Sequence, residues 1–72
     1  MSHTVLAELV AAVMKVEVEV GQTVAAEDAV VILESMKMEI PVLTELSGTV
    51  EVLHVVEGEV LQEGDLIATV AS

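Results

Sequence analysis

Amines are the scarcest reactive groups in this chain, which carries two Lys, no Arg and thirteen acidic side chains. One of them, Lys37, stands between Met36 and Met38, with Glu34 and Ser35 before and Glu39 after. A neutral lysine amine is a nucleophile that an activated acid can acylate. A long amine between two thioethers in otherwise polar surroundings reads as an exposed handle for another protein to grip. The plainer reading is a solvated lysine held loosely by Glu34 and Glu39. Met is also a common core filler: alternation lets Met38 face inwards and places Met36 less easily. Lys15, the second amine, reads as a charge on the polar face of a strand. His3 and His54 have no partners at ligand spacing, so no metal site is expected. His3 is expected near a mobile terminus, and His54 interrupts an apolar set. No Ser/His/Asp order and no phosphate-cradling glycine loop is present, so an enzyme is the least favoured class.

The elements that must carry these groups read as strands. Met14, Val16, Val18 and Val20 alternate with Lys15, Glu17 and Glu19, the pattern of a strand with one buried face. Val30 to Leu33 form a short apolar run that fits a strand buried on both faces. Met38, Ile40 and Val42 alternate around Pro41, which cannot donate to a ladder and so predicts an edge strand or a nearby strand end. Thr49 to Val56 and Leu66 to Val70 read as two further strands, with turns at Gly58 and Gly64. Leu6 to Lys15 contains good helix formers. It lacks a capping box and alternation begins inside it, so strand is expected there too.

Two runs, Val30–Glu34 and Glu39–Leu43, flank Ser35-Met36-Lys37-Met38, and so short a connection demands a tight hairpin. Such hairpins normally use Asn-Gly or Asp-Gly, because their central residues need positive φ. Met and Lys at the tip break that rule, and sequences often break local rules at functional positions.

A shift of 37 positions places Gly21 on Gly58, Asp28 on Asp65, Val13 on Val50 and Val18 on Val55. In a chain with 16 Val, coincidence of composition competes with a true repeat. The structural reading is one domain over residues 1–72. It is all-β, a flattened barrel or sandwich of two similar halves, about 11–34 and 48–71.

Composition bounds the rest. A 72-residue chain buries only roughly 60% of its unfolded surface. Without Cys, no disulfide or thiolate site can staple it, and the aliphatic core must suffice. A net charge of −11 with two cations argues against binding nucleic acid phosphates or an anionic lipid surface. The longest purely apolar run, Leu9 to Met14, is far too short to span a membrane. No basic residue precedes Lys15, so no signal peptide is visible and a cytoplasmic, soluble protein is expected. The exposed acids, among them Glu8, Glu17, Glu19, Glu57, Glu59 and Glu63, read as a solubilising surface.

The stretch Glu34-Ser35-Met36-Lys37-Met38-Glu39-Ile40 resembles the attachment motif of biotinyl domains, Glu-Ala-Met-Lys-Met. Gly21-Gln22-Thr23-Val24, Gly48-Thr49-Val50 and Gly58 to Asp65 extend the resemblance over nearly the whole chain. The nearest likeness is to single-domain biotin carboxyl carriers, also called biotin/lipoyl attachment proteins. Ser35 replaces the usual Ala, Ala11 stands where Gly is frequent, and Glu27 where a second turn glycine is common. There is no room for the extra loop of some acetyl-CoA carboxylase carriers, and no Ala/Pro-rich linker.

The resemblance implies covalent biotin on Lys37, attached by a biotin protein ligase through the biotinyl adenylate. It implies recognition through Glu34, Ser35, Met36, Met38 and Glu39. The role it implies is a non-catalytic, monomeric carrier that moves a carboxyl group between a biotin carboxylase and a carboxyltransferase. Two alternatives stand beside it. One is a lipoyl or dual biotin/lipoyl carrier, although lipoyl domains usually present Asp-Lys-Ala at the tip. The other is an unmodified interaction module.

Overall fold

The computed structural model describes residues 1–72, which form eight strands and no helix. They are β1 (Ser2–Leu6), β2 (Ala11–Val16), β3 (Thr23–Val24), β4 (Ala29–Ser35), β5 (Met38–Leu43), β6 (Gly48–Leu53), β7 (Val60–Leu61) and β8 (Leu66–Ala71). Two four-stranded sheets result, ordered β1-β8-β6-β3 and β5-β4-β2-β7. Every pairing is antiparallel. The expected all-β architecture is therefore present, as a sandwich whose two inner faces share one aliphatic core.

The sheets correspond strand for strand. Adding 37 to each residue number carries Ala11–Val16 onto Gly48–Leu53 and Thr23–Val24 onto Val60–Leu61. The hydrogen bonds follow the same shift. Val13 N–H donates to Glu59 O at 2.8 Å, and Val50 N–H to Gln22 O at 2.9 Å. Ala7 N–H donates to Asp65 O and Thr44 N–H to Asp28 O, both at 2.9 Å. The Asp carboxylates close equivalent turns, Asp28 accepting from Ala25 N–H and Asp65 from Gln62 N–H at 2.8 Å. Each half thus completes backbone bonding that the other leaves open.

Fifteen buried apolar residues make up the core, among them Val13, Val30, Val31, Leu33, Val50, Leu61, Ile67 and Val70. With no ring to fill space, the core packs from small branched side chains, and the backbones must come close. Gly48 marks the tightest approach: a Cβ there would lie 2.2 Å from the Ala71 carbonyl oxygen.

Several local expectations need correction. The Met14-Val16-Val18-Val20 face is buried only in its middle, fully at Val18 and partly at Val16. Met14 is 39% and Val20 61% exposed, while Ala11 and Val13 point into the core. The register slips between Val13 and Lys15, and such a bulge reverses the alternation after it. Strand β2 then ends at Val16, before the stretch that seemed to continue it. In β4, Val30 and Val31 are both fully buried whereas Ile32 is only partly so. Here too a register slip, between Ala29 and Val31, turns neighbouring side chains inward without a second covering layer.

Leu6 to Lys15 is extended at both ends, but Ala7 to Val10 lie between strands. The N-terminal residues are not loose. Ser2–Leu6 pairs along β8, and His3 Nε2 lies 3.2 Å from Thr44 Oγ1. Pro41 does sit in an edge strand, β5.

Candidate functional site

Strands β4 and β5 form the hairpin that carries Lys37. Their register pairs Leu33 with Ile40, Glu34 with Glu39 and Ser35 with Met38, leaving Met36 and Lys37 as a two-residue turn. Both turn residues have positive φ, 54° at Met36 and 64° at Lys37. Two-residue loops of this kind match the right-handed twist of the strands they join. An L-residue held there crowds its Cβ against the backbone, and Gly or Asn normally relieves this. Neither is present, so the tip is strained at both positions.

The mount below the tip is stiff. β4 lies between β5 and β2, and Leu33, three positions before Met36, is fully buried. Above it the side chains are free. Lys37 is exposed, and Met36 and Met38 are 90% and 65% exposed. Met38 therefore does not face inwards as alternation allowed; both thioethers flank the amine in solvent.

Glu34 and Glu39 stand directly opposite one another, an arrangement of like charges that weakens a strand pair. The protein's single ion pair is elsewhere, between Lys15 Nζ and Glu17 Oε1 at 3.5 Å. The carboxylates that seemed placed to hold Lys37 leave its amine unpaired. Ser35 is half-buried at the foot of the turn.

The other candidates lie away from the tip. Lys15 is in β2, within the ladder, opposite Ile32. His54 is exposed and lies 3.3 Å from Thr69 Oγ1 through Nε2. His3 donates from Nε2–H to Thr44 Oγ1, because the Thr44 hydroxyl gives its own proton to Leu46 O at 2.7 Å. No cluster of three potential metal-ligating side chains is found. A groove between β1 and β5 was not anticipated from the sequence, because its two walls lie far apart along the chain.

An exposed, unpaired primary amine on a stiff hairpin can be acylated by a group delivered from another protein, and it needs no cavity of its own. A family model described as "Biotin-requiring enzyme" matches residues 3–70. The chain belongs to this biotin/lipoyl attachment family. It is 48% identical over 71 residues to the biotinylated protein TB7.3 homolog of Mycobacterium leprae (strain TN), covering 99% of this chain and 100% of that protein. It is 37% identical over 70 residues to the biotin carboxyl carrier protein of Streptococcus mutans serotype c, covering 97% of this chain and 54% of the carrier. Among solved structures, the urea carboxylase of Kluyveromyces lactis contains a region that superposes with a TM-score of 0.92 at 31% identity. That region covers 99% of this chain and 6% of the carboxylase. As a member of the family, the chain has the architecture of a biotin-attachment domain, homologous to the carrier domains of carboxylases.

Proposed function

We propose that Lys37 is the biotin attachment site, and that the chain carries a carboxyl group between a biotin carboxylase and a carboxyltransferase. One observation bears most of this reading: within a chain of this family, the amine at the hairpin tip is exposed, unpaired and flanked by two solvent-exposed Met. Lys15, the only other lysine, is exposed too, but it lies within β2 beside Glu17, to which it is ion-paired, and not at a hairpin tip.

In the loading step, the neutral Lys37 Nζ attacks the carbonyl carbon of the biotinyl adenylate held by a biotin protein ligase. An amide C–N bond forms, the C–O bond to AMP breaks, and the amine gives up its proton. The chain's net charge falls from −11 to −12, since one cation is lost. Once attached, biotin supplies a ureido nitrogen that accepts and releases a carboxyl group.

The chain's own residues do the positioning. β4 and β5 hold the tip rigid, while the lysine side chain serves as a flexible arm. Met36 and Met38 offer polarizable contact surface to the ligase, with Glu34, Ser35 and Glu39 framing it. Tethering raises the effective concentration of the cofactor at each enzyme it visits. The carrier body is a separable, cytoplasmic monomer that catalyses nothing itself.

The test is intact mass of the protein from its native host, together with ligase labelling of Lys37→Arg. Arg preserves charge and length, but its guanidinium is a poor acyl acceptor. The wild type is expected to carry one biotinyl mass, and the variant to fold and escape streptavidin capture. A lipoyl mass would assign a different carrier role. Retained capture of the variant would place the modification elsewhere.

A further inference from the structure

The sheets leave two strand edges unpaired on the same side of the molecule. β1 pairs only with β8 and β5 only with β4, and between them runs a groove of about 760 Å³. The 37-residue correspondence runs across it. Leu6 stands against Leu43, Glu8 against Glu45 and Leu9 against Leu46, and all six line the groove. Three of these leucines are well exposed for their type: Leu6 at 43%, Leu43 at 46% and Leu46 at 54%. The charged groups in the groove are the two carboxylates alone.

We infer that this groove binds an extended peptide segment with apolar side chains and basic flanks, added as a strand along β1. Backbone chemistry selects the strand. A free edge presents N–H and C=O groups that a second extended chain can satisfy. β5 carries Pro41, which has no N–H to offer, whereas Ser2–Leu6 contains no proline. The five residues of β1, at about 3.3 Å each, span roughly 17 Å, enough for about five extended residues. Leu6, Leu43 and Leu46 receive the inward-facing side chains of the guest.

Charge selects the sign of the guest. Glu8 and Glu45 favour Lys or Arg at its ends. They also disfavour a second copy of this chain, which would bring the same carboxylate pair and another −11 to the contact. The groove is distinct from the hairpin tip, so binding does not depend on Lys37 being modified.

The experiment titrates the isotopically labelled full chain with the synthetic peptide Lys-Val-Thr-Val-Thr-Val-Lys, followed by amide chemical shifts. A matched peptide with Glu at both ends serves as comparison. The Lys-ended peptide is expected to shift amides of Thr4, Val5, Leu6, Val42 and Leu43. The Glu-ended peptide, and the Glu8→Gln/Glu45→Gln double variant with the Lys-ended one, are expected to bind about tenfold more weakly. Leu43→Arg, a change at an exposed position, fills the groove with cation and is expected to abolish the shifts while the β2 and β8 spectra stay unchanged. Lys37→Arg is expected to bind as the wild type does, which separates this site from the attachment reading. The assignment is overturned by absent shifts or by equal affinity for both peptides. It is equally overturned by shifts centred on the β3 and β7 edges, or by the same amides shifting with protein concentration alone, which would place a second copy in the groove.

Discussion

Met36→Asn is expected to make the protein more stable and, on the proposed attachment role, a poorer substrate for a biotin protein ligase. The magnitude follows from the turn. Met36 has a φ of 54°, a region that costs an ordinary L-residue roughly 1–2 kcal/mol and that Asn tolerates far better. Met36 is 90% exposed, so its removal forfeits little burial. The net gain is about 1 kcal/mol. Against that, a domain of 72 residues has a total stability of only about 4–11 kcal/mol. A gain of that size should raise Tm by about 4–8 °C in a domain of this length.

The assay is a thermal melt by calorimetry or circular dichroism, with Met38→Asn as comparison. Met38 lies in the ladder opposite Ser35 and is not among the positive-φ residues, so Asn there gains nothing and loses strand propensity. Ligase labelling of Met36→Asn is expected to slow, because an exposed thioether is removed from beside the amine. An unchanged or lowered Tm would refute the claim that the tip stores backbone strain. Unchanged labelling would show that Met36 is not part of what the ligase grips. If both expectations hold, the tip keeps residues that weaken the fold because a partner needs them.

Other substitutions probe the frame. Gly48→Ala would place a Cβ 2.2 Å from the Ala71 carbonyl oxygen; a loss of about 2 kcal/mol or more is expected, read as a lowered Tm and faster amide exchange in β8. Glu27 has a φ of 74° where its counterpart across the 37-residue shift, Gly64, has 92°. Glu27→Gly is therefore expected to raise the urea midpoint by an amount equivalent to about 0.5–1 kcal/mol at constant slope. Thr44 is fully buried, and its hydroxyl joins His3 to Leu46 O. Thr44→Val leaves both partners unpaired, and a melt should report a loss of about 1–3 kcal/mol.

The hairpin tip was legible in the sequence because it depends on neighbours along the chain. Met36 and Lys37 stand between an apolar run and an alternating one. The hairpin, its two-residue turn and the break with turn chemistry therefore all lie in one continuous stretch, Ala29 to Leu43. The existence of β2, β4, β5, β6 and β8 was legible for the same reason, because Val-rich patterning is local. That of β1 and of the two-residue strands β3 and β7 was not. Nor was the face that each strand buries. In β2 and β4 the alternation is interrupted by register slips at Val13/Lys15 and Ala29/Val31. A bulge is set by the partner strand, and nothing in Ala11–Val16 or Ala29–Ser35 alone announces it. His3 likewise looked like part of a loose terminus because its partners, β8 and Thr44, are distant in sequence.

The division follows from the range of the forces involved. Residue type and spacing alone determined that this is a small, acidic, all-β chain with one amine placed for chemistry at a hairpin tip. Those properties rest on local backbone preference and on counts of charge. Tertiary structure decided that the tip amine stands unpaired with both Met in solvent, that Gly48 must be glycine, and that β1 and β5 leave an acidic, leucine-lined groove between free edges. Each of these depends on which strands meet across the core, and only packing two distant halves together could set it.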